Sequence, residues 1–150
     1  DFNCSTLIKQ TSNITGGGTL EYMSPELQTC IRTRKYNKLT LKSDVWSLGI
    51  ISCLLFLHRQ PYEHEHGDHH AIITTIQENI YNDIDECIEF VNIYKNYEYT
   101  PAFITNNSRD EKLLIQIMNG CFKSNPTQRL SMKQFIKLIM LVDKSSGLTS

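Results

Sequence analysis

A mainly α-helical domain is predicted by three features of the 150-residue sequence. The segment 45–57 is almost wholly apolar and carries apolar residues on every side, the composition of a helix placed in the middle of a body. Apolar residues recur at three- and four-residue spacing in 69–79, 109–121 and 131–142. No segment alternates apolar and polar residues over the length of a convincing strand.

Taken in order, residues 4–19 are rich in Ser, Thr, Asn and Gly and end in Gly16-Gly17-Gly18, a composition suited to a loop. Ser24-Pro25-Glu26 puts Pro at the first helical position behind a capping Ser and predicts a short helix. The polar, basic stretch 29–42 reads as loop. Its Arg32-Thr33-Arg34-Lys35 run is a solvated surface or, alternatively, a docking site for a substrate or partner. Ser43-Asp44 precedes the central helix, 43–58, whose Trp46, Ile51 and Leu55 are expected to pack against the rest of the body.

Beyond it, 58–67 is a polar turn containing Pro61, and Asp68 is suited to cap a helix over 69–79 with Ile72, Ile73, Ile76 and Ile80 at helical spacing. The stretch 81–107 is aromatic and acidic and reads as a short helix near 84–94 plus loop. Leu113, Leu114, Ile117, Met118 and Cys121 make 109–121 amphipathic, and Ser124-Asn125-Pro126 ends it. Ser131 caps a final helix with Phe135, Ile136, Leu138, Ile139 and Val142 inward.

Bulk composition narrows the function. Fifteen Lys and Arg against sixteen Asp and Glu give no support to nucleic-acid or membrane-surface binding. The longest apolar run falls well short of the roughly 20 residues that span a bilayer. Five cysteines (Cys4, Cys30, Cys53, Cys87 and Cys121) are odd in number and widely spread, as expected of reduced thiols in an intracellular, cytoplasmic protein. His64, His66, His69 and His70 cluster around Gly67, and we read them as solvated rather than as metal ligands. The sequence does not open with Met, and its start is read as a truncation.

Four short patterns follow one another: Asp1-Phe2-Asn3; Gly18-Thr19-Leu20-Glu21-Tyr22-Met23-Ser24-Pro25-Glu26; Asp44-Val45-Trp46-Ser47-Leu48-Gly49; and Asn125-Pro126-Thr127-Gln128-Arg129-Leu130-Ser131. In this order they resemble the large (C-terminal) lobe of eukaryotic-type protein kinases, serine/threonine class, from the metal-binding tripeptide onward and over about 1–141, with 142–150 as a tail. The resemblance implies a helical lobe truncated on its N-terminal side, a parent that transfers the γ-phosphoryl group of ATP to protein Ser or Thr hydroxyls, and ATP and Mg²⁺ as cofactors.

By the same resemblance Asp1 is the Mg²⁺ ligand, a role that suits a hard carboxylate, and Phe2 packs beneath the small lobe. Residues 1–26 correspond to the activation segment, with Thr15 at the usual phosphorylation position. Thr19 is the hydroxyl that bridges catalytic groups of an upstream loop at the substrate site. Glu26 and Arg129 form a buried ion pair, for which Arg offers bidentate geometry that Lys does not. Asp44 accepts hydrogen bonds from the catalytic-loop backbone, or simply caps its helix. Asn3 stands where the family has Gly; Asn tolerates left-handed backbone, and the departure keeps open a pseudokinase that acts as a binding or scaffold module. The catalytic loop, the phosphate-cradling loop and the small lobe belong to the missing N-terminal part, so the 150 residues alone are expected to be inactive. The stretch 81–108 is longer than the family's usual connection, either an insertion or a docking surface.

Overall fold

A computed structural model describes residues 19–35, 40–61, 69–78, 80–96 and 108–143. These form six α-helices and no strand: α1 (Pro25–Thr33), α2 (Lys42–Leu57), α3 (His69–Glu78), α4 (Ile84–Tyr94), α5 (Ser108–Cys121) and α6 (Met132–Asp143). Short 3₁₀ turns lie at Leu20–Tyr22, Ile80–Asn82 and Pro126–Gln128. The fold is the mainly helical one that the sequence predicts.

Local chemistry accounts for most boundaries. Ser24 Oγ accepts from the Leu27 backbone N–H at 3.4 Å and Pro25 opens α1, which ends on Arg34 in the left-handed region at φ 54°. Asp83 caps α4 by accepting from the Asp85 N–H at 3.1 Å. Ahead of α6, Ser131 Oγ accepts from the Gln134 N–H at 3.3 Å while Gln134 Oε1 accepts from the Ser131 N–H at 2.8 Å, a reciprocal capping box.

The core lies where α5 packs along α2 and α4, with α6 closing one side. Val45, Trp46, Ile50, Cys53 and Leu57 of α2 face Leu114, Ile117, Met118 and Cys121 of α5 with almost no exposure, and Cys87, Phe90 and Val91 of α4 complete the layer. The approach of α2 to α5 depends on Gly49. A Cβ there would lie 2.6 Å from Cys121 Cβ and 2.9 Å from the Phe122 ring. Tyr81 anchors the start of α4, with its hydroxyl donating to the Pro61 carbonyl at 2.8 Å and its ring edge-on to Phe90 at 5.4 Å.

Four expectations are corrected. Residues 29–33 are helical rather than loop, because the cap at Ser24 carries α1 forward while Cys30 buries on its inner side. The central helix begins at Lys42, so Ser43 and Asp44 lie in its first turn, and Asp44 caps nothing; Thr40 Oγ1 instead accepts from the Lys42 N–H at 3.2 Å. Ile51 and Leu55 are 39% and 65% exposed, on the side of α2 away from α5. Ile136 of α6 is half exposed, since only the Phe135 side of that helix meets the core. The expected cap at Asp68, the inward Val142 and the histidine side chains fall outside what is described.

Candidate functional site

The most elaborate polar cluster joins the start of α1 to the start of α2 and to the turn before α6. Glu26 and Arg129, 103 positions apart, meet in two parallel hydrogen bonds, Nη1 to Oε1 at 2.7 Å and Nη2 to Oε2 at 3.0 Å. The guanidinium side chain is fully buried and the carboxylate nearly so.

Arg129 commits its remaining donors as well. Nε and Nη2 donate to the Lys123 carbonyl at 3.1 and 2.9 Å, and Nη1 donates to the Lys42 carbonyl at 2.6 Å. In return Lys42 Nζ donates to the Arg129 carbonyl, and Ser43 Oγ donates to Glu26 Oε1 at 2.8 Å. The guanidinium also lies 5.2 Å from the Trp46 ring centroid, and Trp46 meets Phe122 edge-on at 5.2 Å. A buried charge is tolerated only when paired and hydrogen-bonded throughout, and this one is.

Burial alone pushes the Glu26 carboxyl up; the hydrogen bonds and charge of Arg129, with the backbone and Ser43 donors, outweigh it and hold the group below its ordinary 4.5. A depressed carboxyl contributes stability that is present above the unfolded value and is lost as pH falls through the folded one. The stability gap between the native protein and Glu26→Gln is therefore expected to be full at pH 7 and to close as pH drops below 4.5. Urea midpoints across that range measure it, and a gap independent of pH would contradict the pairing.

Residues 19–24 run over this cluster and are held by side chains from three places. Ser47 Oγ of α2 donates to the Tyr22 carbonyl at 2.8 Å, Gln60 Nε2 donates to Tyr22 Oη at 2.9 Å, and Gln28 Nε2 of α1 donates to the Met23 carbonyl at 3.2 Å. Thr19 is exposed, and its hydroxyl makes no cap bond to the turn that follows it. Asp44 projects from the first turn of α2 with no hydrogen-bond partner among the described residues, and partial burial raises its carboxyl above 3.8. On the same helix Ile51, Leu54 and Leu55 form an exposed apolar surface.

A family model described as protein kinase domain matches residues 1–139. The chain belongs to the protein kinase domain family. Among curated relatives, it is 28% identical over 136 residues to an Aurora kinase of Dictyostelium discoideum, covering 91% of this chain and 27% of that protein. It is 29% identical over 143 residues to a probable serine/threonine-protein kinase of the same organism, covering 92% and 24%. A shorter match of 66 residues to an Aurora kinase of Eremothecium gossypii is 41% identical, covering 43% of this chain and 16% of that protein. The chain thus spans about a quarter or less of the length of these kinases.

The structure brings Glu26 and Arg129 together and places Thr19 and Asp44 at the surface. Asp1, Phe2, Asn3 and Thr15 lie outside the described residues. Among those described, no three His, Cys, Asp or Glu side chains converge to hold a metal ion. Sequence reasoning missed Lys42, Ser43, Ser47 and Gln60, because each acts through a hydrogen bond that only the packed helices create. Cys30, Cys53, Cys87 and Cys121 are buried and form no disulfide, and burial pushes the Cys87 and Cys121 thiols up to about 12, so these two are neutral core residues. No helix among the described residues is long and apolar enough to cross a membrane.

Proposed function

We propose that the full-length protein is a protein serine/threonine kinase that transfers the γ-phosphoryl group of ATP to Ser or Thr hydroxyls of a protein substrate, in the cytoplasm. The observation that carries the reading is the anchored 19–24 segment. Its backbone is held from α1 and α2, and its Tyr22 hydroxyl accepts from Gln60, while Thr19 remains exposed. Phosphoryl transfer depends chiefly on positioning and charge neutralisation. A fixed segment with a free hydroxyl at its edge suits the positioning of a substrate beside an upstream catalytic loop. The name of one Dictyostelium relative, a probable serine/threonine-protein kinase, accords with the serine/threonine class.

In this proposal Thr19 orients the catalytic groups of that loop, Asp44 accepts from its backbone, and the Glu26–Arg129 pair keeps residues 19–26 seated on the lobe. Asp1 is the carboxylate that this chain offers to Mg²⁺, which when bound neutralises the phosphate charge. Phe2 packs beneath the small lobe, and phosphorylation of Thr15 orders the loop that precedes Thr19. The residues that transfer the proton belong to segments upstream of Asp1.

Asn3 favours a second reading, a pseudokinase that keeps the lobe and signals by association. Phosphoamino-acid analysis of a protein substrate incubated with the upstream-extended protein and radiolabelled ATP separates the two. Phosphoserine or phosphothreonine that disappears on Asp1→Ala is expected, and Thr19→Ala should lower the rate about 10²-fold or more while Thr19→Ser retains most of it. Phosphotyrosine would overturn the class, and no transfer at all would leave the pseudokinase.

A further inference from the structure

We propose that the full-length protein self-associates head to tail, the outer face of α6 in one copy seating on the outer face of α4 in the next. The two faces are unlike each other and complementary. On α6, Ile136, Met140 and Leu141 are 50%, 59% and 41% exposed, and exposed Lys133 and Lys137 lie among them at helical spacing. At the Leu141 edge a groove of about 290 Å³ runs between α6 and α5, with Lys112, Leu113 and Gln116 along it. No described residue pairs with Lys112, Lys133 or Lys137. Asp110, on α5, is turned inward and buried, and Glu111 is bound to Lys95 at 3.1 Å.

The outer face of α4 has the opposite charge. Asp85, Glu86 and Glu89 are exposed, unpaired among the described residues, and set around Ile93, which is 51% exposed. The nearby cations are engaged elsewhere, Lys95 with Glu111 and Lys123 Nζ with the Asn82 carbonyl. Both helices bury their inner sides on α5, and because both outer faces are exposed they do not meet within one copy.

Three large apolar side chains on one helix are a surface that association covers with gain. The matching carboxylates around Ile93 give that association its direction, since like faces would set lysine against lysine or carboxylate against carboxylate. A contact between two different faces does not close on itself, so it builds chains or rings rather than a symmetric dimer. The occupant of each face is therefore the other face of a second copy.

Sedimentation of the full-length protein at rising concentration tests this, with two variants whose substitutions are all at exposed positions: Lys137→Ser with Met140→Ser on α6, and Glu89→Ser with Ile93→Ser on α4. The native protein should grow beyond a dimer with concentration and shrink again in about 1 M salt. Each variant alone should associate at least about tenfold more weakly. An equimolar mixture of the two, which retains one intact α4 face and one intact α6 face, should form a 1:1 dimer and stop. If either serine pair fails to fold, Lys133→Gln with Lys137→Gln and Glu86→Gln with Glu89→Gln should give the same pattern. A native protein that stays monomeric, leaving the faces to a different partner, overturns the proposal. So do variants that associate like the native protein, an α4 variant that still dimerises while the α6 variant does not, and a mixture that stays unassociated.

Discussion

Replacing Arg129 by Ala is expected to lower the unfolding free energy by about 3–5 kcal/mol, the usual cost of removing one partner from a buried ion pair. Every donor of the guanidinium is used: two bonds reach Glu26, two reach the Lys123 carbonyl and one reaches the Lys42 carbonyl. Alanine leaves the Glu26 carboxylate desolvated with Ser43 Oγ as its remaining side-chain donor among the described residues, and removes the cation that lies over Trp46. Arg129→Lys should recover only a minor part, because a single ammonium cannot reach two carbonyls and a bidentate carboxylate from one point. Glu26→Gln should cost less than Arg129→Ala, since the amide oxygen still accepts one bond. Urea unfolding of the upstream-extended protein measures all three, and a loss below about 1 kcal/mol for Arg129→Ala would place the pair among ordinary surface bridges.

Trp46→Ala is expected to cost about 3–5 kcal/mol, in the range of large-to-small core substitutions that leave a cavity. The side chain is fully buried between the Phe122 ring and Arg129. Trp46→Phe should cost much less, about 1.5 kcal/mol or below. The indole Nε1 finds no acceptor among the described residues, so phenylalanine loses packing but removes a buried polar group that has none. Because Trp46 and Arg129 touch, their losses should not add. A Trp46→Phe loss as large as that of Trp46→Ala would show that the indole N–H has a partner outside the described residues.

The helices were legible where sequence and packing agree. All the apolar residues singled out in 109–121 lie on the buried side of α5, which also takes in Asp110 and Ile115, and Ser24-Pro25 and Ser131 mark true starts. The pairing of Glu26 with Arg129 was legible only through the family pattern, since nothing in local spacing connects positions 103 apart. The misses have a common physical source. In α2 every side is apolar, so composition cannot say which face this chain covers; α5 takes the side of Trp46 and Ile50, and Ile51 and Leu55 face outward. In α6 the same ambiguity put Ile136 inward. Polarity made 29–33 look like loop, although a capped helix with one buried cysteine needs little more apolar content to continue.

Ile51, Leu54 and Leu55 are exposed on α2, and Asp44 has no hydrogen-bond partner among the described residues; in the proposed reading this surface receives upstream helices and a catalytic loop. In the proposed reading Asp1 offers one carboxylate to Mg²⁺, and such a site needs further ligands and the nucleotide phosphates. The positioning that dominates phosphoryl transfer would then have no source within these 150 residues. A radiolabelled-ATP transfer assay, run on the 150-residue chain beside the upstream-extended protein, measures this directly. Incorporation by the extended protein and none by the chain alone is the predicted result; incorporation by the chain alone that is lost on Asp1→Ala would contradict it.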